Sequence, residues 1–324
     1  MASKHVTMRD IARALGVSVV TVSKALSGRD GVGEALREKI GQKARELGYQ
    51  YDPAGKSAAD RSKHEVGVLI PDRFFGANTF YASLYKKLIL HLSNRGYYGI
   101  LEILSERDEA DMKLPGLLEN SRVGAMVLIG QVSSAYIDRL VQVRVPYLFV
   151  DFYNERAGVE AIVSDSIYGS YLLTCHLIHA GHRDIGFIGK IDATSRIMDR
   201  YLGFYKGMIE HNLPVRPQWV LPDRDQRGLF IDVTLPDALP TAFVCNCDEV
   251  ALRLIRRLSM AGKRVPQDIS VVGFDDFLIA SLSEPPLTTF RVDLDNMGRL
   301  AAEEIISKMS GRSRRNAPGI LIRV

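Results

Sequence analysis

The sequence predicts an all-α head joined to an α/β body built of two doubly wound parallel-sheet subdomains. Residues 7–50 read as three short helices with a glycine at one sharp turn. From Glu65 onward, short apolar runs alternate with amphipathic helical stretches, the pattern of parallel strands covered by helices on both faces. The chain has 324 residues, more than one hydrophobic core usually organises.

In chain order, the segment MRDIARALGVSVVTVSKALSG gives a helix, a turn at Gly16 and a second helix. Thr7 can cap the first helix and Ser18 the second. Ile11 and Leu15 form the inner stripe of helix one, and Val22, Ala25 and Leu26 that of helix two. The stretch DPAGKSAADRSK has no periodic apolar face and reads as a linker, which sets the expected divisions at 1–50 for the head, 51–63 for a hinge and 64–324 for the body. In the body the strand runs are VGVLI, YGILEIL, AMVLI, YLFV, IGFIG, TAFVC and ISVVGF. Helices are expected at 84–95, 136–143, 168–180, 200–210 and 248–261. These elements exceed one comfortable sheet, so two subdomains with a cleft between them are expected, and such clefts bind small molecules.

Composition narrows the class. At 46% hydrophobic and 25% charged residues the chain resembles an ordinary globular protein, and no run approaches the ~18 apolar residues of a membrane helix. With no apolar leader after MASKHVTMRD, a cytoplasmic location is expected. Cys175, Cys245 and Cys247 are the only cysteines, and their spacing indicates neither a disulfide framework nor a zinc site. Charge is unevenly spread. Residues 1–63 carry 12 Lys/Arg against 7 Asp/Glu, or +5, while the remainder carries 30 against 31, or −1. A basic head on a neutral body points to a polyanionic partner at the head.

The second helix supplies the chemistry for such a partner. Val19, Val20, Ser23, Lys24 and Ser27 share its outer arc, which has no acid. Hydroxyls and Lys24 can reach phosphates or base edges, and valine methyls can pack on a thymine methyl. A packing αα-hairpin is the alternative that the helix pattern alone leaves open. Here the residues resemble the LacI (lactose repressor) family of bacterial transcription regulators, through TMRDIARALGVSVVTVSKAL, then Val32, Arg37, LGY at 47–49 and VGVLIP at 66–71. The resemblance implies base reading by Val19, Val20 and Lys24 and phosphate contacts by Ser18, Thr21 and Ser23. Gly33 and Leu36 depart from positions that often carry hydroxyls. YQYDPAGKSA at 49–58 matches the family's hinge pattern, but Ala58 stands where that family usually wedges a Leu into the minor groove, so weaker bending of the duplex is expected.

The resemblance continues through VDF at 150–152, AGHRDIGFIG at 180–189, RYLGF at 200–204, VPQDISVVGFDD at 265–276 and PPLTTF at 285–290. It implies a periplasmic-binding-protein-like body. Asp151 and Asp275 each follow an apolar run, so both carboxylates should project into the cleft at the carboxyl ends of the strands. Arg200 is expected to open a helix opposite them. Carboxylates facing a guanidinium suit a polyhydroxylated or amide-bearing ligand. The family uses these three positions for effector contact, and Phe80 falls where an aromatic ring often packs on a sugar or base. Cys247 replaces a polar residue, often Asn, so the hydrogen bond that residue makes should be weak or missing. The same Asp and Arg residues could instead cap helices or close ion pairs between subdomains. Trp219, in PQWV, is expected to pack at a surface edge.

The expected function is a ligand-responsive repressor: a homodimer whose two heads bind a pseudo-palindromic DNA operator, controlled by a small polar effector such as a sugar. No cofactor, metal or membrane is expected. A free ligand-binding protein would need export, which the basic head and missing leader disfavour. An enzyme is disfavoured by the absence of G-x-G-x-x-G, a P-loop, a G-x-S-x-G elbow and H-E-x-x-H. No leucine heptad suggests a tetramer-forming coiled coil.

Overall fold

The structure is a computed structural model that describes residues 6–26, 30–47, 49, 64–75, 79–155, 158–281, 283–311 and 321–324. The chain divides into two compact units, Met1–Arg61 and Ser62–Val324. The expected hinge at 51–63, with Ala58, lies outside the described residues.

The first unit contains α1 (Met8–Leu15), α2 (Val19–Leu26) and α3 (Glu34–Glu46). Asp10 reaches back to the start of α1, accepting from the Thr7 backbone N–H at 2.9 Å and from its hydroxyl at 2.7 Å, so two donors at the helix start are satisfied. Gly16 ends α1 in the left-handed region at φ 64°, which a Cβ would disfavour, and its N–H donates to the Ala12 carbonyl. Two residues later the Ser18 hydroxyl accepts from the Thr21 N–H at 3.0 Å and starts α2. Ile11, Ala12, Val22, Ala25, Ile40 and Ala44 form the buried core of the head.

The second unit holds two sheets whose neighbouring strands all run parallel. The first is built from β1 (Glu65–Pro71), β2 (Tyr98–Leu104), β3 (Ala125–Ile129), β4 (Tyr147–Val150), β5 (Ala161–Val163) and β11 (Leu321–Arg323), in the order β11-β5-β4-β3-β1-β2. The second is built from β6 (Ile185–Ile188), β7 (Val220–Leu221), β8 (Ala242–Cys245), β9 (Ser270–Asp275) and β10 (Thr288–Arg291), in the order β10-β9-β8-β6-β7. Strands β1, β3, β4, β6, β8 and β9 are buried along nearly their whole length, which is why they read as continuous apolar runs instead of alternating ones. The longer helices are α4 (Thr79–Ser93), α5 (Ser134–Leu140), α6 (Ser166–His179), α7 (Ser195–Glu210), α8 (Asp248–Met260) and α9 (Leu294–Met309).

Three features depart from the sequence reading. Helix α7 begins at Ser195, capped by the Thr194 hydroxyl, so Arg200 lies in its second turn and does not open it. The stretch TSRIMD has only Ile197 and Met198 as apolar residues, too few to show a helical period, although Arg196 and Asp199 within it are buried with Ile197. The chain also returns from the second sheet to the first: α9 packs against α4, and β11 pairs with β5, with Arg323 opposite Val163. Trp219 is buried, its indole N–H donating to the Ala238 carbonyl at 2.7 Å, so it is an inner packing residue.

Candidate functional site

On the head, α2 turns Val22 and Ala25 inward, and Ser18, Val19, Val20, Ser23 and Lys24 stand outward, with Thr21 half-buried. Val20 is 65% exposed and Val19 is 40% exposed, a cost of hydrating apolar surface that an apolar contact in a DNA groove would recover. The Ser18 and Thr21 hydroxyls lie 2.8 Å apart at the start of the helix. Six of the seven residues expected to touch DNA therefore share one surface, and the seventh, Ala58, is not among the described residues. Gly33 caps α3 through its backbone alone, so no hydroxyl is offered there.

In the body, the strand ends converge with α7. Asp151 follows β4 at φ 69° and Asp275 ends β9 at φ 117°, left-handed conformations that non-glycine residues seldom adopt and that turn each carboxylate off its strand. Arg200 is fully buried, donating to Asp275 Oδ1 at 2.9 Å and to the Asn246 carbonyl, with its guanidinium 3.7 Å from the Phe274 ring centre. All three partners belong to the second sheet or its loops, so this ion pair lies within one subdomain. The tie across the two subdomains is made one helical turn earlier. Arg196 lies 3.1 Å from Asp151 Oδ2 and 4.7 Å above the Phe80 ring, and Tyr81 donates to the same carboxylate oxygen at 3.0 Å. Phe80 also meets Phe277 edge-on at 5.8 Å. The Gln131 side-chain oxygen adds a second tie, accepting from the Ser195 N–H at 2.7 Å.

Burial governs the electrostatics here. It raises the Asp151 carboxyl above the usual carboxylate range, against the pull of Arg196 and Arg200. It lowers Arg200, with Asp275 opposing. Burial likewise raises the Cys247 thiol to about 12, so Cys247 is a neutral thiol at the start of α8 and makes no side-chain cap. Its neighbour Asn246 is the polar group there, donating to Asp223, which also holds Arg224 at 2.7 Å and the Lys190 N–H at 2.8 Å. Asp248 accepts from Thr289 at 2.6 Å and from the Phe277 N–H at 3.0 Å, and burial raises its carboxyl to about 7.

The effector residues expected from sequence thus form one buried belt: Phe80 and Asp151 joined by Arg196, and Asp275 held by Arg200, with Cys247 alongside. Among the described residues, Asp151 Oδ1, Ser195 Oγ, Arg200 Nε and Asn246 Oδ1 are buried without a hydrogen-bond partner. That is two acceptors, one donor and one hydroxyl able to do either. Beside the belt lies a cavity of 720 Å³ lined from both subdomains, by Arg73, Glu109 and Gln131 on one side and Lys190, Asp192 and Arg224 on the other. None of the five expected residues lines it. An ion pair between Arg227 and Glu106, at 3.0 Å, joins two further lining residues from opposite subdomains. Arg73, Lys190, Arg196 and Arg224 were not singled out from sequence, although Arg73 and Lys190 stand only two residues beyond the ends of β1 and β6. The described residues hold no cluster of His, Cys, Asp and Glu able to bind a metal, and no helix among them is long and apolar enough to cross a membrane.

Comparison with known proteins places both units. A family model described as bacterial regulatory proteins, lacI family, matches residues 7–52, and one described as a periplasmic binding protein-like domain matches residues 174–323. Relatives include the HTH-type transcriptional repressor PurR of Vibrio parahaemolyticus, 29% identical over 94% of this chain and 92% of the relative. The ribose operon repressor of Haemophilus influenzae is 27% identical over 94% of this chain and 92% of its own length. Similar solved structures include a lac repressor dimer bound to operator and an anti-inducer, with TM-score 0.70 at 21% identity, covering 99% of this chain and 97% of that one. A complex of the transcriptional regulator CelR with cellobiose has TM-score 0.68 at 24% identity, covering 98% and 97%.

Proposed function

This chain belongs to the lacI family of bacterial regulatory proteins, and on that premise we propose that it is a ligand-responsive, sequence-specific transcriptional repressor acting in the cytoplasm as a homodimer on a pseudo-palindromic operator. The observation that carries this is the outer face of α2: two exposed valines beside hydroxyls and Lys24, without an acid, on a separately folded basic head. Val19, Val20 and Lys24 read base edges, and Ser18, Thr21 and Ser23 hold phosphates.

The effector is a small polar molecule such as a sugar, taken into the inter-subdomain cleft. Its support is the orphaned mixture of donors and acceptors around Asp151, Ser195, Arg200 and Asn246, which a polyhydroxylated molecule satisfies better than a simple anion does. Ligand binding re-pairs Arg196, Asp151 and Gln131, the groups that tie the subdomains together, and so shifts the spacing of the two heads in the dimer. Phe80, Cys247 and Asp275 stand in the buried belt beside the cavity, behind the groups that the ligand re-pairs. The related repressor named for ribose and the neighbour complexed with cellobiose point to the same ligand class.

Fluorescence anisotropy of the full chain on palindromic duplexes tests the DNA reading. Binding should weaken steeply with salt and be lost in Val20→Asp at an unchanged melting temperature. Equal binding by wild type and Val20→Asp would refute it. A thermal-shift screen of sugars and sugar derivatives tests the effector reading, since a ligand of the folded state raises the melting point.

A further inference from the structure

We propose that the outer face of α6 and α7 is a self-association surface that pairs with the same face of a second copy, separate from the contact that pairs two heads on an operator. The inference goes beyond the repressor reading, and only the expected tetramer mass rests on that reading's homodimer. Among the described residues, six of the fifteen exposed large apolar side chains lie on these two helices: Tyr168 and Leu172 on α6, and Met198, Leu202, Tyr205 and Ile209 on α7. The α7 residues recur at intervals of four, three and four, one stripe of a helix. That stripe points away from the sheet, because the opposite face buries Ile197, Phe204 and Met208.

The two helices present one surface because they approach unusually closely. A Cβ at Gly203 would strike the Ile167 carbonyl, and one at Gly207 would strike Thr174. Gly203 against Ile167 and Gly207 against Thr174 also means that the helices run in the same direction. The only charges on α7's outer face are Lys206 and Glu210, which pair with each other, while Lys206 also lies 4.8 Å from the Tyr171 ring centre. A centre depleted of charge and rich in Tyr, Met and Leu is the composition of an interface core.

Area and charge favour a second copy as the occupant. Each of the six residues is 37–54% exposed, which at about 200 Å² per large side chain amounts to roughly 500 Å² per copy. A two-fold pair therefore buries ~1,000 Å² of apolar surface before its polar rim is counted, within reach of a specific interface. Two helices running the same way have aligned dipoles, and a two-fold copy laid antiparallel opposes them. With the axis near Gly203, Glu210 at the C-terminal end of α7 meets the first turn of the partner's α7, where an acid is favourable. A protein with one head-pairing contact and this second contact closes as a dimer of dimers.

Sedimentation velocity of the full chain should show a tetramer. Leu202→Glu combined with Ile209→Glu should halve the mass to a dimer, with unchanged melting temperature and unchanged affinity for a single operator. Leu202→Cys, in a chain whose described native thiols are all buried, should cross-link covalently to its own copy under mild oxidation. A wild-type dimer whose mass the double variant leaves unchanged would overturn the proposal, leaving the face to another partner or to none. Collapse of the double variant to a monomer with loss of operator binding would also overturn it, because the face would then be the head-pairing contact itself. In either case the DNA reading is tested separately by Val20→Asp.

Discussion

The two candidate contact surfaces of this protein are built in opposite ways. On α2 the candidate contact residues stand in water, and the core behind them consists of aliphatic side chains without a buried charge. Around α7 they are shut away: Arg200, Asp151 and Asp275 are among the most buried charged groups in the chain, and each is held by another part of the protein. A duplex is a large, rigid polyanion that an exposed face can meet with little rearrangement. A small ligand must be surrounded to be recognised, so its contacts are assembled inside a body that has to remain stable without it. Substitution should therefore separate function from stability in the head and mix them in the body.

The strongest break should come at Arg200. Arg200→Ala leaves Asp275 and the Asn246 carbonyl buried without their cation, and should cost about 3 to 5 kcal/mol in denaturant unfolding of the body. A loss below ~1 kcal/mol would mean that the belt tolerates water, and the contrast with the head would disappear. At the head, Lys24→Ala should cost about 1 to 3 kcal/mol on the operator, less on random DNA, and nothing in melting temperature. Equal weakening on both duplexes would reassign Lys24 to phosphate.

Asp248 offers a pH handle on the body alone. Its carboxyl is held at about 7 by burial, against an ordinary 3.8, so the folded protein keeps a proton that the unfolded chain has already released. Between about pH 4 and 7 stability should therefore fall as pH rises, and Asp248→Asn should flatten that fall, by on the order of 4 kcal/mol over the whole window. An unchanged slope in the variant would assign the pH dependence to another group. The smallest effect belongs to the exposed pair of Arg227 and Glu106 across the cavity: Arg227→Ala should change stability by less than ~1 kcal/mol, and added salt should erase the difference. A larger change would make this pair a true clasp on the cleft.

The same contrast explains what could be read from sequence. The head and the central strands were legible because their signals are local: a capped helix, a glycine turn, an unbroken apolar run. Strand β5 has only three residues, AIV, and β11 only LIR, too short to show a period. Their pairing is a long-range event. Arg196 escaped notice for a different reason. An arginine in a polar helix start reads as a surface residue, and only the arrival of Asp151 and Phe80 from the other subdomain makes it an inner one. Asp151, Arg200 and Asp275 were found because they adjoin apolar runs or a family motif, but their mutual pairing was not.

The return of the chain through α9 to β11 has a consequence for the order in which the protein matures. The head closes its core with residues that are all made by position 49, and its contacts are local, so it can fold while most of the body is still being synthesised. The first sheet lacks its edge strand until residues 321–323 have emerged to pair with β5. On the ribosome, then, the part that grips DNA is finished roughly 270 residues before the part that regulates it, tens of seconds at ~5 to 20 residues per second. During that interval a nascent head has no working ligand switch.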